Sequence, residues 1–168
     1  LIEDASIPIA VNRGLRLPGF ANENTLVIAI SYSGNTNETL EQFNEAIARR
    51  CMLHVITSGG RLEEKSREHN IPISRLRSGV PPRTAFPQII ASLGCILQEY
   101  GIIQDLDEIH LAAEDMKRLR GELDPSVDTE TNLAKKMALH LFGKFPIVYS
   151  LERMSGAGRR LKNQLNEN

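Results

Sequence analysis

Three serine and threonine hydroxyls and a glycine stand close together in the run Ser31-Tyr32-Ser33-Gly34-Asn35-Thr36. The run directly follows an apolar, β-branched stretch, Thr25-Leu-Val-Ile-Ala-Ile30, and directly precedes a helical pattern beginning near Asn37. A buried strand that ends in hydroxyls and a glycine, then turns into a helix, aims backbone N–H groups and side-chain donors at one point. The positive end of the helix dipole lies at that same point. Such a site favours an anion, most often a phosphate, and Gly34 lets the backbone approach it closely. The bland alternative is an N-cap, with Asn35 or Thr36 closing the helix end; capping alone needs no serines at i and i+2. The run is neither a Walker loop, which requires Gly-Lys-Ser/Thr, nor a Gly-x-Gly-x-x-Gly dinucleotide fingerprint.

Other residues are weaker candidates. Arg83 comes after Pro81-Pro82 at an expected helix start, where a cation opposes the dipole. Its planar fork suits an enediolate or phosphate oxygens, and a solvated arginine is an equal reading. Ser58-Gly59-Gly60 is either a second anion-facing turn or simply a turn. His54, His69, His110 and His140 have no metal-ligand company, and Cys51 and Cys95 read as buried free thiols in a reducing compartment. No metal site and no cofactor site is expected. Glu167 stands almost at the end of the sequence, where a glutamate is normally solvated.

Periodicity predicts the elements that must position these groups. Residues 7–11 read as a short strand, 12–24 as loop and 25–30 as a buried parallel strand. Residues 37–50 read as an amphipathic helix with Leu40, Phe43, Ala46 and Ile47 inward. A strand over 51–57, a short helix over 61–69 and a strand over 71–74 repeat the scheme. Further helices are expected at 84–100, 105–120 and 129–142, the last with Thr129 or Asp128 as N-cap. Their expected buried stripes include Phe86, Ile96 and Leu97; Leu106, Ile109, Met116 and Leu119; and Leu133, Met137 and Leu141. Phe145-Pro-Ile-Val-Tyr149 then reads as a new strand that leads to a helix. Alternating strands and helices predict right-handed crossovers and a parallel sheet with helices on both faces, ligands binding at the carboxyl ends of the strands.

The chain has 168 residues, 41% of them hydrophobic, which is enough for a core, and a net charge of −1. That charge gives no field for nucleic acid. No apolar run reaches the roughly 18 residues of a membrane span, and no leader is apparent, so a soluble, cytoplasmic protein is expected. Residue 1 is Leu, and residues 159–168 read as a helix without a C-cap, so a fragment of a longer protein is expected.

Leu26-Val-Ile-Ala-Ile-Ser-Tyr-Ser-Gly-Asn-Thr-Asn-Glu-Thr-Leu40 resembles the signature of the sugar isomerase (SIS) domain. Four further segments resemble the branch of bifunctional phosphoglucose/phosphomannose isomerases: Ile7-Pro-Ile with Leu17-Pro, Thr57-Ser-Gly-Gly60, Gly79-Val-Pro-Pro-Arg-Thr-Ala85, and Lys162-Asn-Gln-Leu-Asn-Glu-Asn168. The resemblance implies an α/β fold, a three-layer αβα sandwich with a parallel, flavodoxin-like sheet. It implies a first SIS domain over 1–142, lacking its first strand, and the start of a second over 143–168. It also implies homodimerisation and cofactor-free interconversion of glucose 6-phosphate or mannose 6-phosphate with fructose 6-phosphate.

Ser31, Ser33 and Thr36 match the family's phosphate-binding hydroxyls, Arg83 its enediolate-stabilising arginine, and Glu167 the carboxylate that moves the proton between C1 and C2. The family's upstream Gly-Met-Gly-Gly-Ser-type loop and its later histidine and lysine have no counterpart here, which implies a catalytically incomplete chain. The alternatives are a phosphosugar-sensing SIS module, which the lack of a helix-turn-helix disfavours, an SIS isomerase of another sugar phosphate, and a flavodoxin-like domain, which the low aromatic content disfavours.

Overall fold

The computed structural model describes residues 5–167, apart from the side chains of Arg153 and Glu167. The chain divides into two compact units, Leu1–Ile109 and His110–Asn168.

The first unit is built on a parallel sheet of β1 (Leu26–Ser31), β2 (Met52–Thr57) and β3 (Ile73–Arg75), in the order β1-β2-β3. Leu26 pairs with Met52 and Ser31 with Thr57, so the two longer strands end level. Thr57 in turn pairs with Arg75. The crossovers are α1 (Asn37–Ala48) and α2 (Gly60–Glu68). Their apolar faces, Leu40, Phe43, Ala46 and Leu62, bury against Ala29, Leu53 and Val55. Phe43 is fully buried, and removing a side chain of that size from water contributes about 1.5–3 kcal/mol. The other face carries α3 (Phe86–Glu99), whose Ile96 packs with Ile56 and Leu76. Helices on both faces of a parallel sheet are the expected three-layer arrangement. Successive side chains of β2 point to opposite faces, so a strand covered on both is apolar almost throughout.

Several expectations are corrected. Residues 7–11 form no strand: Ile9 packs near Leu97, Ile102 and Ile103, but the segment joins no ladder. The N-cap of α5 (Leu133–Leu141) is Asn132, whose side chain accepts from Lys135 N, rather than Thr129 or Asp128. Residues 145–149 are not a strand either, and Phe145, Ile147 and Tyr149 are exposed. A strand needs a neighbour for its hydrogen bonds, and none of the described residues supplies one. Cys95 is exposed rather than buried. No residue of α4 (Asp107–Glu122) or α5 is buried: Met116, Leu119, Leu133 and Met137 of the expected stripes lie open, as does Phe86 on α3. Periodicity tells which side of a helix is apolar, and not whether anything covers it.

His54 has the one deeply buried side-chain nitrogen or oxygen without a hydrogen-bond partner among the described residues. Its Nε2 lies 3.0 Å from Ser74 Oγ, its Nδ1 has no partner, and its ring stands edge-on to Tyr100. Burial pushes its pKa below the usual 6.5, with the Glu99 charge pulling the other way. The unfolded chain therefore binds the proton more readily, and stability present above that usual value is lost as pH falls beneath it. We expect the urea midpoint to drop between pH 7.5 and 5.5, and to drop less in His54→Leu; equal slopes in the two proteins would refute this.

Candidate functional site

The geometry of the carboxyl edge begins with β1. Because Ser31 ends a buried strand, its side chain turns inward, and its hydroxyl lies 2.8 Å from Thr36 Oγ1 while accepting the Gly34 N–H at 3.1 Å. Ser33 is exposed, and its Oγ accepts the Asn35 N–H at 3.2 Å. Gly34 holds φ +68°, a left-handed conformation that costs other residues about 1–2 kcal/mol. Thr36 occupies the N-cap position of α1, yet its side chain makes no capping hydrogen bond. Its hydroxyl is turned to Ser31 instead. The simple capping alternative therefore does not describe this turn: the first-turn amides of α1 are left without a side-chain acceptor, at the positive end of the helix.

The turn after β2 seats directly against this loop. Gly34 O accepts the Leu62 N–H at 2.9 Å, Tyr32 O accepts both Ser58 N–H at 3.0 Å and the Ser58 hydroxyl at 2.6 Å, and Asn35 Oδ1 accepts Arg61 N–H at 3.2 Å. Asn35 Nδ2 also donates to Ser33 O at 3.1 Å. Thr57 closes its own turn by donating to Gly59 O at 2.9 Å. The two turns approach so closely that a Cβ at Gly34 would overlap Gly59 O, and one at Gly60 would overlap Ser33 O. Ser58-Gly59-Gly60 thus has a specific use, as the support that holds the 31–36 loop.

The segment after β3 completes the edge. Leu76 N–H donates to Thr57 O at 2.8 Å, and Tyr32 Oη lies 2.9 Å from Val80 O. Three residues later Arg83 lies exposed in a single 3-10 turn, Pro82–Thr84. The structure therefore brings Ser31, Ser33, Thr36 and the Arg83-bearing segment to one edge of one sheet, where parallel sheets bind ligands. Glu167 belongs to the second unit, at the end of α6 (Ser155–Glu167), and its side chain lies outside the described residues. No group of three or more potential metal-ligating side chains occurs among the described residues.

Sequence reasoning missed the contacts of Tyr32, and it read Asn35 only as a cap and Ser58 only as part of a turn. Alternation carried on from the end of β1 was the available signal for Tyr32, since it predicts a side chain facing away from that of Ser31. For Asn35 and Ser58 the contacts join residues more than twenty positions apart, and nothing local announces them.

Residues 130–168 match the family model described as the bacterial phospho-glucose isomerase C-terminal SIS domain. A bifunctional phosphoglucose/phosphomannose isomerase of Caldicellulosiruptor bescii is 35% identical over the whole chain, which covers 50% of that protein. One from Aquifex aeolicus is 34% identical over 96% of the chain and 47% of its own length. A D-glucosamine-6-phosphate 4-epimerase of Sulfolobus acidocaldarius is 32% identical over 86% of the chain and 44% of its own length. The chain thus spans about half the length of these curated relatives.

Proposed function

Since the chain belongs to the SIS-domain family of the bifunctional phosphoglucose/phosphomannose isomerases, we propose that it supplies the phosphate-anchoring part of an aldose–ketose isomerase. The substrates are glucose 6-phosphate or mannose 6-phosphate, interconverted with fructose 6-phosphate. The observation that carries this reading is the loop itself: a buried Ser31 within hydrogen-bond distance of an exposed Thr36, an exposed Ser33 and an uncapped α1 amino terminus.

Chemistry of this kind separates into two ends. The phosphate is unreactive, and its binding energy holds the sugar in register. At the other end a proton next to the carbonyl must be lifted from C2 of the aldose and returned to C1, which calls for a positioned base. Glu167 takes that role in our assignment. The negative oxygens of the cis-enediolate need a fixed cation, and Arg83 takes that one. Ser31, Ser33 and Thr36 hold the phosphate, Ser31 chiefly by orienting Thr36. We further propose a first SIS domain over 1–142 and the start of a second over 143–168, a homodimeric enzyme, no nucleic-acid partner, and work in the cytoplasm. No helix among the described residues is long and apolar enough to cross a membrane.

The test is a coupled assay on the protein at the length of its relatives. It is expected to convert fructose 6-phosphate to glucose 6-phosphate, and mannose 6-phosphate to fructose 6-phosphate, with EDTA present. The double variant Ser33→Ala, Thr36→Val is expected to lose affinity for hexose phosphates far more than for the free sugars. Turnover of neither phosphate would leave a phosphosugar-binding module, and 4-epimerisation of an amino-sugar phosphate would point to the chemistry named for the Sulfolobus relative.

A further inference from the structure

We propose that the phenol of Tyr32 is a positioning group that sets the separation between the phosphate loop and the arginine-bearing turn. The inference rests on the isomerase reading above and adds a residue to it. Tyr32 lies between two of the phosphate-loop serines, but its side chain leaves on the opposite face of β1 and packs against the cluster of Ile56, Leu76 and Ile96. From there Tyr32 Oη reaches the segment after β3. It donates toward Val80 O at 2.9 Å, with Arg77 O at 3.2 Å, and accepts the Val80 N–H at 3.2 Å. Meanwhile its backbone carbonyl takes both donors of Ser58. One residue therefore ties together the three turns at the carboxyl edge.

The latch matters because a stiff segment separates it from Arg83. Val80 is succeeded by Pro81 and Pro82, whose rings fix φ; Pro81 stands at φ −55° and ψ 137°. Thr84 Oγ1 donates back to Pro81 O at 2.8 Å, closing the turn that contains Arg83. A stiff spacer transmits displacement rather than absorbing it, so an error at Val80 arrives at Arg83. Another anchor of the segment touches no part of the phosphate loop: Arg77 N–H donates to Gln88 Oε1 of α3 at 2.8 Å. The phosphate loop, by contrast, is held by its own hydrogen bonds and by the turn after β2. Loosening the latch should leave phosphate binding intact and disturb only the end of the site where the enediolate charge develops.

Tyr32→Phe and Gln88→Ala test this in the protein at the length of its relatives, by titration with three ligands. These are inorganic phosphate, a hexitol 6-phosphate, and a five-carbon aldonate 5-phosphate whose carboxylate stands in for the charged enediolate. Each variant is expected to weaken the aldonate phosphate, and to lower kcat, by about tenfold, with KM, hexitol phosphate and inorganic phosphate changed by no more than about twofold. Parallel weakening of all three ligands would reduce Tyr32 to a structural residue and overturn the proposal, as would unchanged aldonate affinity. If the wild type bound none of the three, the sugar-phosphate reading itself would fall, and the latch with it. Binding by the wild type with no selective loss in the variants would remove the latch alone.

Discussion

Gly34→Ala is expected to destabilise the first unit by about 2–5 kcal/mol, the sum of left-handed strain and forced overlap, and to abolish phosphosugar binding. The position is unforgiving for two independent reasons. At φ +68° any L side chain is strained, and the new Cβ would overlap the Gly59 carbonyl oxygen and come within 2.8 Å of its carbon and 3.0 Å of Thr57 Oγ1. Those are backbone atoms and a committed hydroxyl, not the yielding tip of a flexible side chain. Relief requires separating the 31–36 loop from the turn after β2. That movement would break the bonds from Leu62 N to Gly34 O and from Ser58 to Tyr32 O. The urea midpoint measures the first effect, and titration with fructose 6-phosphate measures the second. A variant with wild-type midpoint and affinity would show that the two turns do not depend on this close approach.

The second large effect is expected at Glu167. In the protein at the length of its relatives, Glu167→Gln should lower kcat for both epimers by about 10²–10⁴-fold, the range of general acid–base catalysis. The glutamine keeps the size and hydrogen-bonding reach of the side chain and removes its ability to take a proton, so KM and inhibitor affinity should stay nearly unchanged. In the proposed assignment the phosphate is held by residues 31–36, on a different unit of the chain, so its binding would not depend on proton transfer. Turnover within about threefold of wild type would assign the base elsewhere. A joint loss of binding and turnover would instead make Glu167 a structural residue.

Much of the first unit was legible because its signals are local. The β-branched run before Ser31, the periodicity of Leu40, Phe43 and Ala46, and the repeated strand-to-glycine turns each report on neighbours within a few positions. Covered on both faces, β2 shows itself by being apolar almost throughout. The misread strands and buried stripes share one cause. Residues 7–11 and 145–149 have strand-like composition, but a strand exists only where another strand meets it, and composition does not say whether one does. In the same way the stripes on α4 and α5 were read correctly as apolar and wrongly as buried, because burial belongs to the assembly of elements and not to the helix.

The candidate site divides along the same line. By itself the sequence determined where an anion cradle is to be expected, since hydroxyls, a glycine and a helix start in immediate succession aim donors at one point. It also determined that a parallel sheet would present that cradle at its carboxyl edge. Only the tertiary structure decided how the cradle is held. Thr36 forgoes its cap to meet Ser31, Asn35 reaches Arg61, and Gly34 and Gly60 are required by the closeness of two turns. Tyr32 crosses to Val80, forty-eight positions away. The physical reason is distance along the chain: donors and acceptors so far apart are matched only when the strands between them pair in register.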